Sequence, residues 1–549
     1  MGHTLEEYKG CDIIDIHPGA CLWSQKLHHF LKPRRHLLME PEDKYKPFIE
    51  PLLRKRRSTY RHTSLSGAHP RSYFESYDLI FNDDLLPKRD LLSPGDARLR
   101  QTNKTLLVTG TLSRRYRSIR GMVRNVHNAN LVLNHMVQAS QTNALFHGYG
   151  LVRMLFWHPD DTRSTVMPDM NVARGAYGAA IDVAADLVEI AGADRATLAE
   201  LPSQPRALTR HRYPEIDQIS ADRVLKRMED RGVKMPLHRR PRLHQAAIDR
   251  SADPSIDVDD EARRVIPLHL PVHKSLDAVM EAHEEKMKAF SETVSRVKGT
   301  TAFDMPYDYV FTIEAKKVLS ENDLSKLGPY MDIWAVQVAL EAAISDLKTR
   351  KPREAATTEL ERRVTKVGDD LRAISTTKRL RAHNLQTNAH TVQKEIHACH
   401  AETLAHDRRP FEALTTSVDE FWPQFGHFLL DVQPRAENLA DSLTSPGEAN
   451  TVMRDLVVRL WQLSASSVPM AVDRIGANAA QDLVPACPDM ADAAKGGRLD
   501  VQDMTVRLLS RSMIEQLTKA YLDWPFRSTD VLPDDVLEEM ADGKMRDLE

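Results

Sequence analysis

CDIIDIHPGACLWSQKLHHFLKPRRHLLMEP, residues 11–41, sets two short apolar runs on either side of one amphipathic segment. Ile13 to Ile16 reads as a buried strand, His17-Pro18-Gly19 as a tight turn and Leu22 to Leu31 as a helix. His36 to Met39 reads as a second strand that ends on Glu40. This is a βαβ opening. Such a unit holds a ligand over the carboxyl ends of parallel strands, where backbone in the first turn approaches it and an acid after the second strand accepts hydrogen bonds from ribose hydroxyls. Asp15, His17, Pro18, Gly19 and Glu40 are therefore the candidate cofactor-binding residues.

The turn narrows the ligand. Against the dinucleotide fingerprint G-x-G-x-x-G it offers His17, Gly19 and Leu22, so two of the three glycines that admit a pyrophosphate are missing. A diphosphate cofactor is not expected. S-adenosylmethionine carries an adenosine without phosphate and needs only a close turn and a ribose-binding acid. An ordinary α/β domain that binds nothing at this turn is the competing reading. Beyond a third strand expected over Thr59 to Leu65, where an acid would hold an adenine amine, the chain has Ser64, Leu65 and Ser66.

Thr105 to Thr109 reads as the fourth strand, and its exit decides the chemistry. The tetrad at that exit is Val108-Thr109-Gly110-Thr111, with neither an amide acceptor nor an aromatic ring, and Tyr116 is too far along to supply one. Downstream, Arg117, Arg120 and Arg124 recur on one helical face, with Arg114 able to reach the same side and no acid between Arg114 and Arg124. Together with Arg54, Arg56 and Arg57, taken to stand near the same mouth of the sheet, they are the candidate nucleic-acid contacts. Residues 1–150 hold 23 Lys and Arg against 14 Asp and Glu, net about +9 in a chain of formal charge −3. That bias suits a phosphate-facing surface.

D-I-H-P-G-A followed by L-L-M-E-P resembles the first two motifs of the mitochondrial transcription factor B family, fungal branch, relatives of the KsgA-type rRNA adenine N6-dimethyltransferases. Asn103 to Thr111, Gly150 to Pro159 and Tyr521 to Phe526 resemble the same branch in the same order, covering roughly the first 180 and the last 45 residues. The resemblance implies a SAM-methyltransferase-like, Rossmann-like α/β domain followed by a mostly helical region. It also implies a mitochondrial matrix protein that partners a single-subunit mitochondrial RNA polymerase and melted, single-stranded promoter DNA. His17, Gly19 and Glu40 would then form a vestigial or structural S-adenosylmethionine site. An active dimethyltransferase acting on small-subunit rRNA and a structural or assembly protein of the mitochondrial ribosome are the alternatives. The acidic start, a few residues ahead of the first strand, leads us to expect an incomplete N-terminus.

At 549 residues the chain exceeds one core, and three parts are expected: an α/β domain over 1–275, a helical insertion with long polar helices over 276–445, and a C-terminal helical domain with an acidic tail over 446–549. In detail, Tyr77 to Asp83 reads as a further strand or a loop insertion, Gly175 to Ala191 as a small-residue helix, 200–275 as irregular and Phe411 to Leu443 as helix. Trp157 and His158 read as structural. No apolar run reaches membrane-spanning length, so no membrane partner is expected. Cys11, Cys21, Cys399 and Cys487 form no C-x-x-C pair. His383, His390 and His397 recur two helical turns apart, too far for ligands on one helix, and only His397 and His400 have a ligand spacing; no metal site is expected.

Overall fold

The computed structural model describes residues 2–69, 73–82, 85–87, 89–113, 128–194, 214–253, 362, 395, 398–436, 446–498 and 500–528. The βαβ opening is present: β1 (Asp12–Ile16), helix α1 (Leu22–Leu31) and β2 (Arg35–Met39), followed by α2 (Lys46–Leu53) and β3 (Tyr60–Thr63). With β4 (Thr102–Thr111) and β5 (Leu151–Pro159) they form a parallel sheet in the order β3-β2-β1-β4-β5. That is the Rossmann-like order, with the strand sequence reversing beside β1 and opening a crevice at the carboxyl ends. Beyond β5 the sheet becomes mixed. β8 (His427–Pro434) runs antiparallel between β5 and β6 (Ala185–Gly192), and the two-residue β7 (Leu414–Thr415) closes the edge.

Alternation along the strands divides the core. Ile14, Ile16, Leu37, Met39, Leu106 and Val108 face α3 (Tyr73–Asn82), α4 (Asn128–Gln141) and α5 (Ala176–Ala184). Ile13, Leu107 and Leu155 pack on Leu27 and Leu31 of α1, while Leu38 meets Ile49 and Leu52 of α2. The C-terminal helices α6 (Pro446–Gln462) and α7 (Arg511–Asp523) bury their apolar stripes on α5, whose small residues Ala176, Ala179 and Ala180 permit close approach.

Four expectations are corrected. Residues 77–83 belong to neither strand nor loop insertion in the main, because Tyr73, Tyr77 and Ile80 bury one helical face of α3. The helix expected over 175–191 stops at Ala184, where the chain turns into β6 to pair with β8. Within 200–275, Pro214–Asp230 and Arg242–Ala252 are helices. The helix expected over 411–443 is absent from 414–434, which supplies β7 and β8; the sheet therefore extends past the boundary placed at 275. Residues 254–275, most of 276–394 and the acidic tail lie outside the described residues. Among the described residues no helix is long and apolar enough to cross a membrane.

Candidate functional site

The turn after β1 is strained in a specific way. His17, Gly19 and Cys21 all have left-handed backbone, at φ +50, +57 and +60. Two of them carry side chains, which costs about 1–2 kcal/mol each, and such strain concentrates at ligand-facing turns. His17 takes the place of the fingerprint's first glycine and is held by its ring: Nε2 lies 2.9 Å from Ser66 Oγ. Pro18 O accepts from the Cys21 N–H at 2.9 Å, closing the turn onto α1.

Glu40 ties β2 to this turn. One carboxylate oxygen accepts from the Gly19 N–H at 3.1 Å and the other from the Glu42 N–H at 3.0 Å. The expected partnership of glycine and acid is thus direct. Asp15 is elsewhere: fully buried beneath α1, it accepts from His36 Nε2 at 3.1 Å and does not line the crevice. The corresponding expectation for Asp15 is corrected, since the strand's alternation turns it toward α1 with Ile13.

The crevice encloses a cavity of about 800 Å³. One wall is His17, Gly19, Glu40, Glu42, Lys44 and Tyr45; Thr111 and Ser113 of the β4 exit form the floor between. The opposite wall comes from the end of β5 and the loop leading into β8: Asp160, Asp161, Trp422, Phe425, Gly426 and His427. Trp422 is 89% exposed, a large ring held in solvent at the cavity mouth. Asp160 receives Arg163 Nη2 on Oδ1 at 2.7 Å, while Oδ2 has no partner among the described residues. Gly426 leaves room for that carboxyl, since a Cβ there would stand 2.9 Å from its carbon. Ser113 Oγ is likewise buried without a partner among the described residues. Burial pulls His427 below the ordinary histidine value, so it is neutral near pH 7, and its Nδ1 lies 2.9 Å from the Phe425 carbonyl.

The lining is acidic. Glu40, Glu42, Asp160 and Asp161 face one lysine, Lys44, which is itself paired with Glu42. A basic ligand face was expected, and among the described residues the crevice is the reverse. Arg54, Arg56 and Arg57 explain part of the difference: they precede β3 and so lie at the amino ends of the parallel strands, opposite the crevice. Arg54 is paired with Glu50 at 2.7 Å. Arg114, Arg117, Arg120 and Arg124 lie outside the described residues.

The degenerate tetrad is structural for three of its four positions. Val108 is core, and Thr109 accepts from Trp23 Nε1 and donates to the Leu155 carbonyl, both at 2.9 Å. Gly110, at φ +144, lies against Ile16 so closely that a Cβ would stand 2.6 Å from its nitrogen. Only Thr111 reaches the cavity. Trp157, taken as structural, is half-buried against Trp23 and Phe421. Among the described residues no group of three His, Cys, Asp or Glu could hold a metal ion. Sequence reasoning missed Asp160, Trp422, Phe425 and His427; the available signal was the aromatic cluster around Pro423, which a helix interior would not tolerate. No family model matches this chain, and a search of curated proteins finds no match.

Proposed function

We propose that this chain is a mitochondrial transcription initiation factor, built on a SAM-methyltransferase-like domain, that helps a single-subunit mitochondrial RNA polymerase in the matrix open promoter DNA. The observation that carries the reading is Trp422, exposed at the mouth of an acidic cavity. Carboxylates repel phosphate, whereas an exposed ring stacks on any unpaired base, so this crevice takes a base and leaves its backbone outside. In this reading Arg114, Arg117, Arg120 and Arg124, which follow the cavity's Ser113 in sequence, meet the phosphates of the melted strand. No covalent step is required.

Adenine N6-dimethylation of small-subunit rRNA is a second reading, favoured by the same cavity. Two features support S-adenosylmethionine there: Glu40, beside the Gly19 turn, would accept from ribose hydroxyls, and the acidic lining would suit a sulfonium. Bound there, that cofactor would supply the methyl group. Asp160 Oδ2 and Ser113 Oγ are acceptors that would take the place of the missing amide. The β4 exit opposes this reading, because Val108, Thr109 and Gly110 are committed to the sheet.

Runoff transcription on a supercoiled or pre-melted mitochondrial promoter, with the cognate polymerase, tests both when labelled S-adenosylmethionine and small-subunit rRNA are assayed in parallel. Protein-dependent initiation without methyl incorporation is the expected result. Methyl incorporation without stimulation would replace it with the enzyme, and silence in both, with co-sedimentation on the small ribosomal subunit, would replace it with a ribosome-associated role.

A further inference from the structure

The amino ends of β2 and β3 carry positive charge that the crevice does not use. Lys32 caps the carboxyl end of helix α1, and the turn between α2 and β3 is Arg54-Lys55-Arg56-Arg57-Ser58-Thr59. The two meet: His28 Nε2 in the last turns of α1 lies 3.4 Å from Thr59 Oγ1, and the His36 N–H donates to the Thr59 carbonyl at 3.0 Å. Lys55 is near enough for its charge to reach His28, which burial first, then His36, then Lys55 push down to about 4. His28 is therefore neutral and adds nothing to the patch.

Carboxylates at this edge are already bridged. Asp12 is held by Arg34 at 2.6 Å and by Arg89, Glu50 by Arg54 at 2.7 Å, and Glu7 by Lys104. Lys32, Lys55, Arg56 and Arg57 are exposed and have no carboxylate partner among the described residues. The turn presents charged and hydroxyl side chains and no aromatic ring on which bases would stack, and exposed cations of this kind suit the phosphates of a polyanion.

We infer that this edge of the sheet, through Lys32, Lys55, Arg56 and Arg57, docks the phosphate backbone of duplex nucleic acid without regard to sequence, separately from the crevice. The five residues of β1 span about 17 Å at roughly 3.3 Å per residue, so crevice and edge lie on opposite ends of the sheet. An acidic cavity at one end and uncompensated cations at the other suit two separate segments, an unpaired one and a duplex one. The choice of a duplex rests on the proposed function, in which the crevice takes the unpaired strand; phosphate docking at this edge does not.

The test is fluorescence anisotropy with the full chain and a labelled mixed-sequence DNA duplex, titrated across KCl. Lys55→Gln/Arg56→Gln/Arg57→Gln, all at exposed positions, is compared with the unmodified protein, and thermal melting checks that both are folded. Each phosphate contact contributes about 0.9 to the slope of log affinity against log salt, so the slope falls by about 3 and affinity by roughly 100-fold near 0.1 M. Unchanged slope and affinity would overturn the inference. So would loss of binding to a peptide of residues 529–549, with duplex affinity intact, which would make the chain's own acidic tail the ligand. Trp422→Ala, titrated in parallel with a single-stranded oligonucleotide, reports on the crevice, so failure at the edge and failure at the crevice are read independently.

Discussion

Replacing Trp422 by alanine isolates the stacking role assigned to the crevice. The ring is 89% exposed, so its removal leaves the core untouched and thermal stability within about 0.5 kcal/mol. Stacking of one base on an aromatic side chain contributes about 1–3 kcal/mol, which corresponds to roughly 5-fold to 150-fold in affinity. Anisotropy with a labelled single-stranded oligonucleotide, at one fixed salt concentration, should register a loss in that interval. Because no charge is removed, the salt dependence should keep its slope, which separates stacking from phosphate contact. Trp422→Phe retains a smaller ring and should fall between the two. A folded Trp422→Ala protein that binds single strands within twofold of the original would refute the base-stacking crevice, and with it the observation that carries the proposed function.

Three further perturbations probe the frame around the site. Gly110→Ala should abolish soluble expression or cost more than about 4 kcal/mol, because its Cβ would meet Ile16 backbone that cannot move within the sheet; Gly10→Ala, also at positive φ but in open space, should cost only about 1 kcal/mol, and similar urea midpoints for the two would contradict the packing. Asp182→Asn should cost about 3–5 kcal/mol in chemical denaturation: the carboxylate accepts from Arg174 and Arg511, both at 3.1 Å, and from Arg408, and burial already pulls Arg174 down to about 10. A loss below 1 kcal/mol would show the charges are not confined. His147 is fully buried, accepts from the Val152 N–H at 3.1 Å, and is pushed by burial from 6.5 to about 3. Its folded state refuses a proton that the unfolded chain takes, so its stability contribution is complete above about 6.5 and declines by about 1.4 kcal/mol per pH unit as pH falls toward 3. His147→Asn keeps an acceptor but no titration; urea unfolding at pH 7 and 5 should show a smaller acid loss than in the unmodified chain, and equal losses would remove His147 from the account.

The half of the crevice that was legible in the sequence is the half built from neighbouring residues. A buried run, a glycine turn, ten helical residues and a second run ending on Glu40 occupy residues 13–40, and their contacts follow from βαβ geometry alone. Placing Arg54, Arg56 and Arg57 needed one more step from the same geometry: residues that precede a parallel strand stand at its amino end, away from any ligand over the carboxyl ends. The other half was hidden by periodicity. Phe411, Leu414, Val418, Phe421 and Phe425 recur at intervals of three and four, the signature of an amphipathic helix. In the fold Phe411 and Leu414 instead cover the sheet beside Trp23 and Trp157, and Phe421 packs on Trp157 before Pro423 and β8. What overrides the local pattern is pairing at long range: Leu429 to Val432 enter the sheet against Met154 to Trp157 on one side and Leu187 to Ala191 on the other, partners more than 230 residues away. That antiparallel return carries Trp422, Phe425 and His427 to the end of β5 beside Asp160, so the wall that gives the crevice its ring and its acceptor exists only once the sheet has closed around β8.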